Sequence, residues 1–169
     1  MAFQYSVVQS KTYVEISQMH KIVISDTSTL ILFDKINEFD LLKKVYGQLT
    51  TTPEIAEEFG EKLPEWIIIQ SVKDTKYQKF LETQVDRGEA SALALASELE
   101  NVLLLLDDLK ARKLAAKLLF KTTGTLGIIH KAKEKSIMPK VKPLIEKLLS
   151  TNFRISNEVI NEILKMNNE

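Results

Sequence analysis

The stretch IVISDTSTLILFDKI, residues 22–36, decides the fold. Ile22, Val23 and Ile24 form a short β-branched run without polar alternation, as a strand buried on both faces requires. Asp26, Thr27 and Ser28 follow at once, all good N-cap types, and the apolar LILFDKI behind them starts a helix. A second stretch, NVLLLLDDLKARKLA at residues 101–115, repeats the plan: a turn at Asn101, a strand, two acids, then a helix with a Lys- and Arg-rich outer face to about residue 120.

Between and around these two, the same alternation continues. Residues 39–46 suit a helix that stops at Gly47, residues 49–52 are β-prone, and Pro53 sits where a first helical turn tolerates it, with Ile55 and Phe59 four apart on one face. The segment 66–72 suits either a strand or irregular chain, with Trp66 packing. Residues 74–86 form a helical pattern ending near Gly88, and GEASALALASELE, residues 88–100, makes an Ala- and Leu-rich buried helix. Lys121 to Thr123 suits a short strand, Gly124 and Thr125 a turn with Thr125 as N-cap, and residues 126–135 a helix. Pro139 and Pro143 open a helix to Leu149, and Ser156 caps a last one to Met166. Strands alternating with helices imply an α/β fold with helices on both faces of a parallel sheet. The expectation is a three-layer αβα domain over residues 19–150, its central sheet mostly parallel. A C-terminal helical tail, residues 151–169, packs on it. Residues 1–18 have no strong helical period and are set aside as an N-terminal extension ahead of Met19. They lack a basic start joined to a continuous apolar run, so no secretory signal is expected.

Composition narrows the chemistry. The 169 residues are 44% apolar and 27% charged, ordinary for one soluble domain with a real core. No apolar run approaches the roughly 18 residues of a membrane span. Cysteine is absent, which excludes disulfide scaffolds, thiolate zinc sites and cysteine nucleophiles, and suits the reducing cytoplasm. With two His and no Cys, any metal is held mainly by oxygen. The net charge is zero, but it is unevenly placed: residues 1–108 hold 10 basic and 18 acidic residues, residues 109–147 hold 11 and 2. A basic region beside an acidic one suits a polyanion partner and recruited cations; lysines solvating helix faces are the plainer explanation.

The acids themselves are more informative. Open parallel sheets bind ligands at the carboxyl ends of their strands. Asp26 ends the first strand, and Asp107 and Asp108 end the VLLLL strand, so they share one rim. Glu58, with Glu57 beside it, lies a turn into the helix after the second strand, and Glu89 opens the helix before VLLLL. Each has a structural reading as well, as an N-cap or a solvated first-turn charge favoured by the helix dipole. Together they repel unless protonated or bridged by a cation. Four or five carboxylates without His or Cys are the ligand set of Mg²⁺ or Mn²⁺, ions that can activate water against a phosphodiester.

The order of these pieces resembles the PIN-domain family. IVISDTST resembles its opening motif, TTPEIAEEF its second, GEASALALA its third and LLLLDDLKARKLA its fourth, while TTGTLGIIHKAKEKSIMPKVKPLIEKLL followed by FRIS is similar to the tail of a mostly prokaryotic, VapC-type toxin-like subfamily. The resemblance spans about residues 21–162. It implies a metal-dependent endoribonuclease with Asp26, Glu58, Glu89 and Asp108 as catalytic metal ligands and Asp107 as an additional metal-ligating acid. Glu58 matches better than Glu57 because Phe59 follows it, and Glu89 stands where many PIN domains carry Asp. By the same resemblance Ser28 lies near the site. Lys110, Arg112 and Lys113, just beyond the acids, are candidates for phosphate contacts. RNA, a small antitoxin and a second copy in a homodimer are the partners implied, with no membrane.

Other readings fit less well. A haloacid dehalogenase-type phosphatase needs an acid at position 28, which is Ser. A receiver domain pairs its acids after the first strand, and a dinucleotide site needs glycines where DTST stands. The GxxG in TTGTLG suits a tight turn better than a phosphate cradle, and His20 and His130 read as ordinary residues. A catalytically silent RNA- or protein-binding module on the same fold is the alternative from another class.

Overall fold

The computed structural model describes residues 21–169, so the expectations for residues 1–18, Met19 and His20 lie outside the described residues. Five strands form one sheet: β1 (Ile22–Ser25), β2 (Leu49–Thr51), β3 (Ile67–Ile69), β4 (Val102–Leu105) and β5 (Lys121–Thr123), in the order β3-β2-β1-β4-β5. Every pairing is parallel, so the sheet is wholly rather than mostly parallel. Nine helices flank it among the described residues, giving the three-layer α/β architecture: α1 (Thr27–Lys35), α2 (Phe39–Tyr46), α3 (Pro53–Phe59), α4 (Thr75–Leu81), α5 (Arg87–Ser97), α6 (Leu109–Lys117), α7 (Thr125–Glu134), α8 (Lys142–Leu149) and α9 (Asn157–Met166).

Central position explains the apolar runs. β4 lies between β1 and β5, and Leu104, Leu105 and Leu106 are fully buried. Each such side chain contributes about 2 kcal/mol by leaving water. Ile24, Leu30, Phe33, Leu93 and Leu95 complete the middle of the core. α5 is buried from Ala90 to Ala96, and its small side chains allow close packing on β1 and β4.

Some boundaries differ from expectation for identifiable reasons. The open segment 66–72 contains edge strand β3, where Ile67 is buried and Ile68 and Ile69 are exposed; it pairs with β2 although two of its three isoleucines are exposed. Trp66 packs edge-on against Phe39, whose ring also meets Phe59 at 6.0 Å. The helical pattern expected over 74–86 stops at Leu81, because Asp86 starts α5 instead. α6 ends at Lys117, and Leu119 turns the chain with φ 63°. Gly124, not Thr125, is the N-cap of α7, because the Thr125 hydroxyl donates elsewhere. Only Pro143 of the two prolines lies in the first turn of α8.

The C-terminal segment is fastened by polar contacts. His130 Nδ1 meets Asn167 Oδ1 at 3.0 Å, and the Glu169 side chain accepts from Lys133 Nζ and from the backbone N–H groups of Val141 and Lys142. His130 is thereby engaged structurally. Among the described residues no helix is long and apolar enough to cross a membrane.

Candidate active site

The sheet order creates the site. Chain connections leave β1 toward β2 on one side, while β4 lies on the other, so the crevice between β1 and β4 is a topological switch point where carboxyl-end loops diverge. The two strands run in register with Ser25 opposite Leu105, and the Asp26 N–H donates to the Leu105 carbonyl at 3.2 Å. Asp26 therefore begins where β4 ends, one residue short of Leu106 and the acid pair.

Asp26 is 2% exposed and N-caps α1, its Oδ1 accepting from the Thr29 N–H at 2.8 Å. Burial pushes its carboxyl up to about 7; contacts with Thr29 oppose this, and the charges of Asp107 and Asp86 add to it. The Thr29 hydroxyl is wholly buried beside it and helps to hold it down, yet completes no well-formed hydrogen bond among the described residues.

Glu58 reaches across from α3 to α1, accepting from the Thr27 hydroxyl at 2.7 Å. Its neighbour Glu57 turns away to pair with Arg87 at 3.2 Å. Gly88 explains how α5 comes so near: a Cβ there would stand 2.7 Å from Glu58 Oε2 and 3.2 Å from Thr27 Oγ1. Beneath them, Thr52 and Ser91 share a buried hydroxyl pair at 2.6 Å, and Ser91 donates to the Gly88 carbonyl, tying α3 to α5.

Glu89 is half-buried in the first turn of α5. Burial comes first in pushing it up to about 7, followed by the charges of Asp86 and Asp108, with Asp26 adding a smaller share. Asp86 is the residue that sequence reasoning missed. It N-caps α5 and accepts from the Glu89 N–H at 2.8 Å, while Glu89 Oε2 accepts from the Asp86 N–H at 3.3 Å, a reciprocal capping box. The signal was present: Asp86 stands three residues before Glu89, the capping-box spacing.

The two acids after β4 diverge. Asp107 spends both oxygens on α7, accepting from the Thr125 N–H at 2.9 Å and its hydroxyl at 2.5 Å. Gly124 leaves room for this, since a Cβ there would lie 2.6 Å from Asp107 Oδ1 and 3.4 Å from Arg112 Nη1. Asp108 is exposed and N-caps α6 through the Ala111 N–H at 2.8 Å. Ser28 is exposed in the first turn of α1, and Lys110, Arg112 and Lys113 are exposed on α6, of which Arg112 reaches to the neighbourhood of Gly124.

The N-cap reading is thus true of Asp26, Asp86 and Asp108, and it leaves one carboxylate oxygen of each outside the cap. Asp26 feels Asp107 and Asp86, and Glu89 feels Asp86, Asp108 and Asp26, so acids from the ends of β1 and β4 and the start of α5 lie within electrostatic reach of one another. Among the described residues no three acids stand in a ready-made ligand cage. The donor set nevertheless fits a hard divalent cation: all oxygen, two members held near neutrality by burial and mutual repulsion, and a buried hydroxyl without a well-formed hydrogen bond beside the deepest. A cation would relieve that repulsion.

The family model for the PIN domain matches residues 22–169. No curated protein and no solved structure matches the chain.

Proposed function

Because the chain belongs to the PIN-domain family, we propose that it is a divalent-metal-dependent endoribonuclease that hydrolyses RNA phosphodiester bonds at the β1–β4 crevice. PIN domains are generally nucleases and generally use divalent metals. The observation that carries the reading is geometric: the buried Asp26 ends β1 against the end of β4, Thr27 beside it holds Glu58, and Gly88 brings the first turn of α5 with Glu89 against that pair. Burial and neighbouring carboxylates push Asp26 and Glu89 up to about 7. Buried acids raised by desolvation and by specific charged neighbours are candidates for a functional site.

In this reading Asp26, Glu58, Glu89 and Asp108 would hold the cation, Mg²⁺ or Mn²⁺. When bound, such an ion polarises a phosphate and lowers the pKa of a neighbouring water. Thr27 holds the Glu58 carboxylate toward the crevice, and the Asp86 capping box sets the Glu89 rotamer. Asp107 adds negative charge beside Asp26 while its own oxygens anchor Thr125. Ser28, Lys110, Arg112 and Lys113 line the approach of the RNA backbone, where ammonium and guanidinium groups position phosphates. A cytoplasmic location, homodimerisation and pairing with a small antitoxin belong to the same proposal, supported by family resemblance and the absence of cysteine.

The test is cleavage of a single-stranded RNA by purified protein. Mn²⁺ is expected to support cleavage, EDTA to stop it, and Glu89→Gln to reduce it at least ~100-fold while the fold persists. That variant can keep an oxygen that accepts from Asp86, and it replaces the other oxygen and the charge by an amide NH2 group. RNA binding without cleavage, equal in EDTA and Mn²⁺, would favour a silent binding module instead.

A further inference from the structure

A second cavity, of about 560 Å³, lies on the face of the sheet away from the carboxyl rim, beneath α2 and α7. Its floor is the register row Val23, Leu103 and Lys121, across β1, β4 and β5. Leu103 precedes Asp107 by four residues along β4, so the floor sits about 13 Å from the acids at 3.3 Å per strand residue. The volume falls within the range of small-molecule sites.

Its lining is one-sided in charge. Lys21, Lys121, Lys131 and Lys135 all border it, and among the described residues no Asp or Glu does. The Lys21 ammonium is held below its ordinary value by burial and then by the charges of Lys121 and Lys131, so three cations crowd together. Lys131 reaches Glu134 outside the lining at 3.1 Å, and Lys135 is fixed by donating to the Val45 carbonyl at 2.5 Å. An ammonium has three donors, so both retain hydrogens to offer. The hydroxyls of Tyr46 and Thr123 also border the space, and burial pushes the Tyr46 phenol up to about 12, so it stays protonated and able to donate.

We propose that this cavity is a second anion site, taking a ligand with linked phosphate groups of the pyrophosphate class. The Glu134 carboxylate offsets only the Lys131 charge. A multiply charged ligand relieves the repulsion that remains, and phosphate oxygens can accept from the ammonium and hydroxyl donors of the lining. A single carboxylate would offset one charge of four. The apolar floor of Val23 and Leu103 leaves room for the rest of a nucleotide beside the phosphates. The site is separate from the acidic crevice and does not depend on nuclease activity.

Pyrophosphate is titrated by calorimetry into the full chain at low salt, pH 7.5, without added metal. One saturable site is expected, weakened at least ~10-fold in Lys121→Gln/Lys131→Gln, retained in Lys121→Arg/Lys131→Arg and unchanged in Asp26→Asn. If circular dichroism shows the double Gln variant unfolded, Lys21→Gln takes its place with the same expectation. Competition by ADP would identify a free nucleotide as the source of the phosphates, and competition only by RNA with a 5′-triphosphate would identify an RNA end. Absence of saturable binding overturns the proposal; so does binding that the Gln variants leave intact.

Discussion

Asp26→Asn is expected to make the metal-free protein more stable above neutral pH while abolishing RNA cleavage. Asn is as good an N-cap as Asp, so the bond from the Thr29 N–H survives. What disappears is a buried charge facing Asp107 and Asp86. The Asp26 carboxyl titrates at about 7 in the folded protein against 3.8 for an ordinary aspartate, so between those values the folded state keeps a proton that the unfolded state has released. Stability therefore falls as pH rises from about 4 to about 7 and is flat beyond. At ~1.4 kcal/mol per unit, the contribution of Asp26 is at most about 4 kcal/mol. Thermal melts in EDTA should show the two proteins converging near pH 4 and the variant melting higher at pH 8. A variant that melts lower at pH 8 would mean that Asp26 is a stabilising cap and nothing more.

Thr52→Val is expected to cost about 2–4 kcal/mol and to lower activity as well, although Thr52 touches no candidate ligand. Its oxygen accepts from the Ile55 N–H at 3.3 Å and meets Ser91 at 2.6 Å, in a place where Thr52, Ile55 and Ser91 are all fully buried. Valine fills the same volume but leaves the Ile55 donor unpaired and unlinks α3 from α5. Those helices carry Glu58 and Glu89, so the crevice loosens along with the core. Thr52→Ser keeps the hydroxyl and should recover most of both properties; chemical denaturation and initial cleavage rates measure them. Equal loss in the Ser and Val variants would show that the hydroxyl pair does not carry the effect, since Ser keeps the hydroxyl that Val lacks.

Much of this arrangement was legible because local and global signals agree. Ile22 to Ile24 ahead of Asp26, and the leucine run ahead of Asp107 and Asp108, are buried parallel strands passing into capped helices, and their acids share a rim because β1 and β4 are neighbours. Less legible were contacts set by tertiary approach. Asp86 follows a helical pattern without a strong break, so the capping box it forms with Glu89 was hidden inside an expected helix. Thr125 has the residue type of a cap, yet its hydroxyl goes to Asp107, eighteen residues away in the chain. β3 has one buried position in three, and an edge strand with outward isoleucines gives no alternation to detect. The choice between Glu57 and Glu58 turns on Gly88, whose missing side chain admits one carboxylate and whose neighbour Arg87 engages the other.

The claim beneath the functional reading is that acids from the ends of β1 and β4 share one cation. Titration of Mn²⁺ into the wild-type chain, Asp26→Asn and Asp108→Asn measures this directly. The predicted result is a saturable site in the wild type, weakened at least ~10-fold by either substitution, since each removes a ligand to the same ion. Variants that bind Mn²⁺ as tightly as the wild type, in either position, would contradict it.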